Sequence, residues 1–328
     1  SIWFKSKKNS KKLFMKNSKN KILIIGGEGY IGSVVTNFFL KKGIEVDSYD
    51  CLLYQNNYHL LSNLYDDNYK FIHGKMSEIN SKVKFNNYST IILLAGLVGD
   101  PITKKYHELS LKINENDILN IIDSIKNLDI KFIFSSTCSN YGLRENLNPA
   151  SEIDKLEPLS TYAKSKVLIE KEIISLKNVS KFNPIIFRFA TAFGLSPRMR
   201  FDLTVNQFTR ELALGRKLKV YDKDTWRPYC HVKDFANILF QAVNLIDIKN
   251  LSYEVFNVGI DENNASKYKI IKIINDLLKK DNKVDYIEKS IDKRNYVVDF
   301  SKLEKTFDTS KFVTLDEGIS EIYEMIKN

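Results

Sequence analysis

Tyr162 and Lys166 stand four residues apart in YAKSK, the spacing that puts two side chains on one face of a helix. That pair can do proton chemistry. An ammonium one helical turn away lowers a phenol's pKa from its reference of about 10 toward the working pH, so a tyrosinate can take the proton of a hydroxyl whose carbon gives up a hydride. Thr137, in SSTCSNYG, lies 25 residues earlier at the end of an apolar run, where its hydroxyl can share the same substrate oxygen.

A hydride needs an acceptor, and the start of the chain supplies a place for one. KILIIGGEGYIG, Lys21 to Gly32, is an apolar run that breaks into Gly26, Gly29 and Gly32. Strand, glycine turn and amphipathic helix (Tyr30 to Lys42) make a βα unit whose helix N-terminus can hold a pyrophosphate. Asp50, 24 residues beyond Gly26, ends the next short strand, Ile44 to Tyr49. A carboxylate there can accept hydrogen bonds from an adenosine ribose and would repel a 2′-phosphate, which favours NAD over NADP.

The elements that must position these residues alternate in type. Strands are expected at Tyr69–His73, Ile91–Ala95, Lys131–Ser135 and Pro184–Phe189, and long helices at about 104–127 and 158–176. This alternation predicts an α/β fold, a doubly wound parallel sheet with its ligand cleft at the strand C-termini. From Ala190 the pattern changes to a Gly/Pro/Arg loop (Gly194 to Arg200), a helix, and strands at Lys217–Tyr221 and Trp226–His231. A helix (Val232–Ile246) and a strand (Glu254–Val258) look like a return to the main sheet, followed by a helix (Lys267–Lys280), an extended piece (Val284–Ile287) and a final helix (Leu315–Lys327). The predicted organisation is a leader (1–20), a dinucleotide domain (21–189, with a returning segment at about 231–258), and a smaller interleaved substrate lobe (190–230 and 259–328).

Composition excludes other classes. The longest apolar run, Ile91 to Val98, is far short of the ~20 residues of a membrane span, so no membrane partner is expected. Of the net charge of +10, eight lysines lie in residues 1–21, which hold no acid. That reads as a solvated basic extension, with no nucleic-acid partner, and it lacks the apolar core of a secretory signal. Three scattered cysteines and four histidines without ligand spacing indicate neither disulfides nor a metal, and fit a reducing cytoplasm.

Taken together, the glycine turn, Asp50, LLAG (Leu93–Gly96), Asn114, SSTCSNYG, YAKSK, WRPYCHVKD and FNVG (Phe256–Gly259) resemble the extended short-chain dehydrogenase/reductases, specifically the NAD-dependent nucleotide-sugar epimerases and dehydratases. The resemblance implies a Rossmann fold, an NAD cofactor, a nucleoside-diphosphate sugar as partner and a homodimer packed through the two long helices. It makes Tyr162 the acid/base, Lys166 also a nicotinamide-ribose ligand, and Thr137 the substrate-orienting hydroxyl. It places Gly26, Gly29, Tyr30, Ile31 and Gly32 at the pyrophosphate, Asp50 at the ribose, Ala95 and Asn114 at the middle of the cofactor, and Arg227 and Arg294 at the sugar nucleotide's diphosphate.

Four positions depart from that pattern. Lys75 stands where many members have an Asp near adenine, and Thr191 where they have an Asn near the substrate phosphate. Cys138 and Ser139 replace the Asp-Glu pair of the 4,6-dehydratases, which disfavours elimination of water. FRFATAFGLSPRMRFDLTVNQFT (Phe187–Thr209) and DKRNYVVDFSKLE (Asp292–Glu304) resemble a narrower subset that modifies activated sugars for surface polysaccharides and includes a GDP-heptose 4-dehydrogenase. By that resemblance Arg198, Arg200 and Asn206 are candidates for sugar-nucleotide contacts. Oxidation at the sugar's C4 is the implied first step. Epimerisation, net dehydrogenation and ketosugar reduction all remain open beyond it, and a non-catalytic dinucleotide sensor is the alternative from another class.

Overall fold

The computed structural model describes residues 21–327 apart from 55–57, 145–146, 248, 282–283 and 290–293; the basic leader lies outside the described residues. The strands in chain order are β1 (Ile22–Ile25), β2 (Val46–Asp50), β3 (Tyr69–His73), β4 (Thr90–Leu93), β5 (Lys131–Thr137), β6 (Asn183–Phe189), β7 (Thr191–Phe193), β8 (Leu218–Tyr221), β9 (Trp226–His231), β10 (Val255–Val258), β11 (Asn264–Ser266) and β12 (Val284–Ile287). Seven of them form a parallel sheet in the order β10-β6-β5-β4-β1-β2-β3.

Every residue of β1, ILII, is buried, because both faces of the sheet are covered. Ile22 and Ile24 pack with Val35 and Phe39 of the helix Tyr30–Lys41 and with Phe235 and Leu239 of the helix Val232–Leu245. Leu23 and Ile25 pack the other way, with Ile118 and Ile122 of the helix Asp117–Ile125 and with Ile169 and Ile173 of the helix Thr161–Ser175. The chain leaves β1 toward β2 on one side and re-enters at β4 on the other. That reversal opens a crevice at the strand C-termini, where α/β sheets bind ligands.

The smaller lobe has its own core. Phe193, Phe208, Val220, Tyr229, Ile270, Ile274 and Ile319 cluster among a three-stranded sheet (β11-β9-β7), the pair β12-β8 and the helices Thr204–Ala213, Lys267–Leu278 and Leu315–Lys327.

Two expectations change. The helix expected at 104–127 is broken into Asp100–Lys105, His107–Leu111, a π-helical turn at Lys112–Asn116 and Asp117–Ile125. Tyr106, with ψ 58°, interrupts the first break, and the π turn carries Asn114 inward to bond backbone groups, a distortion that apolar periodicity does not encode. The segment Tyr296–Phe312, assigned by sequence to the substrate lobe, packs instead into the large domain's core: Tyr296, Val298, Phe300, Leu303 and Phe307 join Phe187 and Phe256. β7 and β11, three residues each, are too short to leave a periodic signal.

Candidate active site

Both lobes line one cavity of about 1310 Å³ at the C-terminal ends of the sheet. Gly26, Gly29, Tyr30, Ile31, Gly32, Asp50, Ala95, Thr137, Tyr162, Thr191, Arg198, Arg200, Arg227 and Arg294 all reach its wall. The volume suits two ligands held side by side.

At the glycine turn, Gly26 has φ +88°, and a Cβ there would lie 2.6 Å from the Ala95 nitrogen. A Cβ on Gly32 would lie 1.9 Å from the Gly26 carbonyl oxygen. The turn is therefore as tight as its residues allow, and the helix Tyr30–Lys41 starts directly from it with no side chain capping its N-terminus. Such a terminus attracts a phosphate through its orphan N–H groups and dipole. Asp50 accepts from the Glu28 amide at Oδ2 (3.1 Å) and from the Leu52 amide at Oδ1 (2.8 Å), leaving each oxygen acceptor capacity for a ribose hydroxyl. Burial pushes its carboxyl pKa up against those two amides. These residues fit a dinucleotide.

Glu28, which the sequence reading passed over, folds behind this turn. It is 1% exposed and accepts from Ser48 (2.6 Å), Tyr69 (2.6 Å) and His59 (2.8 Å). Burial raises its pKa, but those hydrogen bonds outweigh it and hold the carboxyl below its ordinary value. A second anion thus backs Asp50 at the end where a 2′-phosphate would sit.

The candidate proton-transfer residues come from two elements. Ser160 caps the helix Thr161–Ser175 by accepting from the Ala163 amide (3.2 Å), which sets Tyr162 in the first turn at the cavity wall. One turn on, Lys166 is 2% exposed, donates from Nζ to the Ser135 carbonyl (2.6 Å) and lies 5.7 Å from the Tyr162 ring centre. Burial lowers its pKa to about 7, with Glu170 pulling the other way. Thr137, the last residue of β5, accepts from the Ser139 amide (3.1 Å), so its own hydroxyl proton can be donated to a substrate oxygen.

Three predicted ligands are absent from the cavity wall: Lys166, buried with its ammonium on the Ser135 carbonyl, Asn114 and Asn206. Asn114 is fully buried behind the β4 exit loop, accepting from the Leu97 amide (2.8 Å) and donating to the Leu97 carbonyl (2.9 Å) and Ser110 (3.2 Å). Asn206 is fully buried as well, accepting from the Gly194 amide (2.9 Å) and donating to the Tyr30 hydroxyl (2.9 Å) and the Arg200 carbonyl (2.9 Å). With their amides committed, Asn114 and Asn206 shape loops that line the site.

The arginines divide. Arg227 donates to the Arg294 carbonyl and lies 5.4 Å from the Tyr296 ring, so the two arginines adjoin at one corner of the cavity wall. Arg200 is held by Asp202 through Nε (3.0 Å). Arg198 stacks 4.5 Å from the Tyr54 ring, on the Asp50 side, across the cavity from the lobe that carries it. Lys75 reaches the cavity wall at the expected adenine end, beside Cys51 and Met76.

A model of the NAD dependent epimerase/dehydratase family matches residues 22–259. The chain belongs to that family. Its curated relatives include a CDP-paratose 2-epimerase of Salmonella typhi, 24% identical over 93% of this chain and 98% of the relative. A UDP-glucuronate 4-epimerase of Thermodesulfobacterium geofontis is 26% identical over 90% of this chain and 93% of its own. The fold matches a Bacillus cereus UDP-glucuronic acid 4-epimerase solved with UDP-glucuronic acid and NAD, with TM-score 0.81, 22% identity and coverage of 94% and 99%. As a member of an NAD-dependent family, the chain takes NAD as its cofactor, and the geometry of Gly26, Gly32 and Asp50 fits a dinucleotide.

The end of β5 gives this epimerase/dehydratase chain a further character. Cys138 is 1% exposed and turned inward, its thiol donating to the Arg188 carbonyl (3.1 Å), and burial pushes its pKa up. Ser139 lines the cavity beside it. Neither supplies a carboxylate next to Thr137.

Proposed function

We propose that the chain is an NAD-dependent epimerase that inverts C4 of a nucleoside-diphosphate sugar. The observation that carries this reading is the convergence of Thr137, Tyr162, the glycine turn and the Arg227–Arg294 corner on one cavity. Tyr162, as tyrosinate, takes the proton of the C4 hydroxyl, Thr137 donates to the same oxygen, and Lys166 stabilises the phenolate by its charge. Bound NAD would supply the acceptor, and then the donor, of the C4 hydride. Arg227 and Arg294 keep the diphosphate in place by charge-assisted hydrogen bonds while the ketosugar presents its other face. Tyr162 then returns the proton to the new alcohol.

Epimerisation requires that the reduced cofactor stay put between the two half-reactions, whereas net dehydrogenation requires its release each turnover. Contacts between the lobes favour retention. The Tyr30 hydroxyl donates to the Gly194 carbonyl (2.6 Å), Ser196 donates to the Tyr30 carbonyl (2.7 Å) and meets Ser33 (3.0 Å), and Arg198 lies over Tyr54. The loop after β7 is thereby fastened across the helix terminus that holds the pyrophosphate. Tyr30→Phe removes the bonds to Gly194 and Asn206 and is expected to speed NADH release about tenfold, the worth of about one net hydrogen bond. A fluorescence chase of bound NADH measures it.

The relatives that are UDP-sugar and CDP-sugar epimerases support the same substrate class. A homodimer through the broken helix at 100–125 and the continuous helix Thr161–Ser175 fits Leu109, Leu168 and Ile174, which are 41–45% exposed on them. No helix of the described residues is long and apolar enough to cross a membrane.

The test is incubation of purified protein with UDP-, GDP-, CDP- and dTDP-sugars while product mass and NADH absorbance are followed. An isomer of unchanged mass with no net NADH is the expected product. NADH accumulating with a two-dalton loss would make the chain a dehydrogenase, and loss of water would make it a dehydratase.

A further inference from the structure

On the helix Thr161–Ser175, the spacing that sets Lys166 one turn after Tyr162 sets Glu170 one turn further along the same stripe. Glu170 is 2% exposed. Its Oε1 accepts from Ser136, from Asn140 Nδ2 (2.9 Å) and from Arg188 Nε (3.1 Å), and its Oε2 accepts from Arg188 Nη2 (2.7 Å). Arg188, on β6, is 4% exposed and donates from Nη1 to the Tyr141 hydroxyl (3.0 Å), which donates to Asn257 on β10 (2.7 Å). A buried ion pair of this kind is costly to desolvate and commonly contributes no net stability over apolar residues of the same size. Its place directly behind the catalytic lysine points to a different role.

Two rungs join the Tyr162 helix to the strand end that carries Thr137. Lys166 to the Ser135 carbonyl (2.6 Å) is one, and Glu170 to Ser136 and Asn140 is the other, a turn deeper. Lys166 makes its first rung only as a donor, and burial of its ammonium favours loss of the proton unless a counter-charge opposes it. Glu170 is that counter-charge. Other charged and titratable groups face the same space. Arg188 comes from β6, and the Glu152 carbonyl accepts from it (3.3 Å). Cys138 and Tyr141 follow β5, both kept neutral by burial. Glu115, from the π turn, accepts from Ser165 (2.6 Å), and Lys112 and Asp117 lie on the cavity wall.

We propose that Glu170 is a positioning residue for proton transfer at Tyr162: clamped by Arg188, Ser136 and Asn140, its carboxylate keeps Lys166 an ammonium and fixes the Tyr162 helix against the Thr137 strand. The proposal rests on the reading of Tyr162 as the acid/base, and its test needs no sugar. Ultraviolet titration of tyrosinate in the full chain, with the same titration of a Tyr162→Phe partner subtracted, isolates the ionisation of Tyr162. In E170Q its midpoint is expected to move up by about one pH unit, about tenfold less tyrosinate at a given pH. E170D, which keeps the charge, is expected to restore the midpoint to within about 0.3 unit. An unmoved midpoint in an E170Q protein with native circular dichroism would leave Glu170 a merely structural residue and overturn the proposal. If the uncompensated Arg188 unfolds E170Q, the double variant E170Q/R188M removes both charges and is expected to show the same upward shift; no shift there overturns the proposal equally. Because the midpoint is read without substrate, a chain that fails to epimerise sugars leaves this result standing.

Discussion

Tyr162→Phe is expected to lower turnover about a thousandfold, within the range that a positioned general acid/base contributes. The substitution deletes one oxygen and leaves the ring, so the wall of the cavity and the contact of Lys166 with that ring stay in place. The proton of the C4 hydroxyl then has no acceptor at the right distance, and Thr137, whose oxygen already accepts from the Ser139 amide, is a poor substitute base. NAD affinity is expected to change by less than about twofold, because the cradle of Gly26, Gly32 and Asp50 is untouched. Turnover and a fluorescence titration with NADH, made on the same preparation, separate the two effects. Retention of full activity would remove Tyr162 from the mechanism.

Gly32→Ala is expected to do the converse, abolishing NAD binding with a loss of about a hundredfold or more in affinity, about 3 kcal/mol. The added methyl would stand 1.9 Å from the Gly26 carbonyl oxygen and 2.9 Å from the Gly27 carbonyl carbon, both backbone atoms that no rotamer change can move aside. To accept it, the helix Tyr30–Lys41 must back away from the turn, and its terminus then no longer meets the pyrophosphate. The helix is also tied to the smaller lobe through Tyr30 and Gly194, so that displacement loosens the roof of the cavity as well. Isothermal titration with NAD reports the loss directly. Calorimetric unfolding is expected to show a drop of only a few kcal/mol, the scale of a single backbone clash in a folded domain.

Much of this architecture was legible because local rules and global fold agree. The run ILII is apolar on both faces, which only a strand inside a doubly covered sheet requires, and the following glycines mark where the backbone must approach itself. The Tyr162–Lys166 spacing likewise announced a shared helix face, and β3, β9, β12 and the helix Leu315–Lys327 fall where apolar pattern and turn residues place them. What escaped reading depends on tertiary partners. Asn114 and Asn206 look like ligands in a motif, yet each is consumed by backbone groups 12 to 17 residues away in sequence. Glu28 sits in a glycine loop, where a charged residue ordinarily faces water; its burial follows from Ser48, His59 and Tyr69, which lie 20, 31 and 41 residues further along the sequence. Glu170 carried a usable signal, its place eight residues after Tyr162 on the same stripe, but the arginine that justifies its burial comes from the neighbouring strand. The segment Tyr296–Phe312 was assigned to the wrong core because its aromatic residues are equally suited to either one until topology brings them beside Phe187 and Phe256.

The central claim is that one cavity oxidises and re-reduces the same carbon without exchanging its cofactor. The most direct measurement uses a substrate sugar nucleotide deuterated at C4, turned over in ordinary water with a trap for free NADH present. The expected product is the C4 epimer with deuterium retained at C4 and none in the trap. Deuterium appearing in free NADH, or replaced by hydrogen at C4 of the product, would contradict the account.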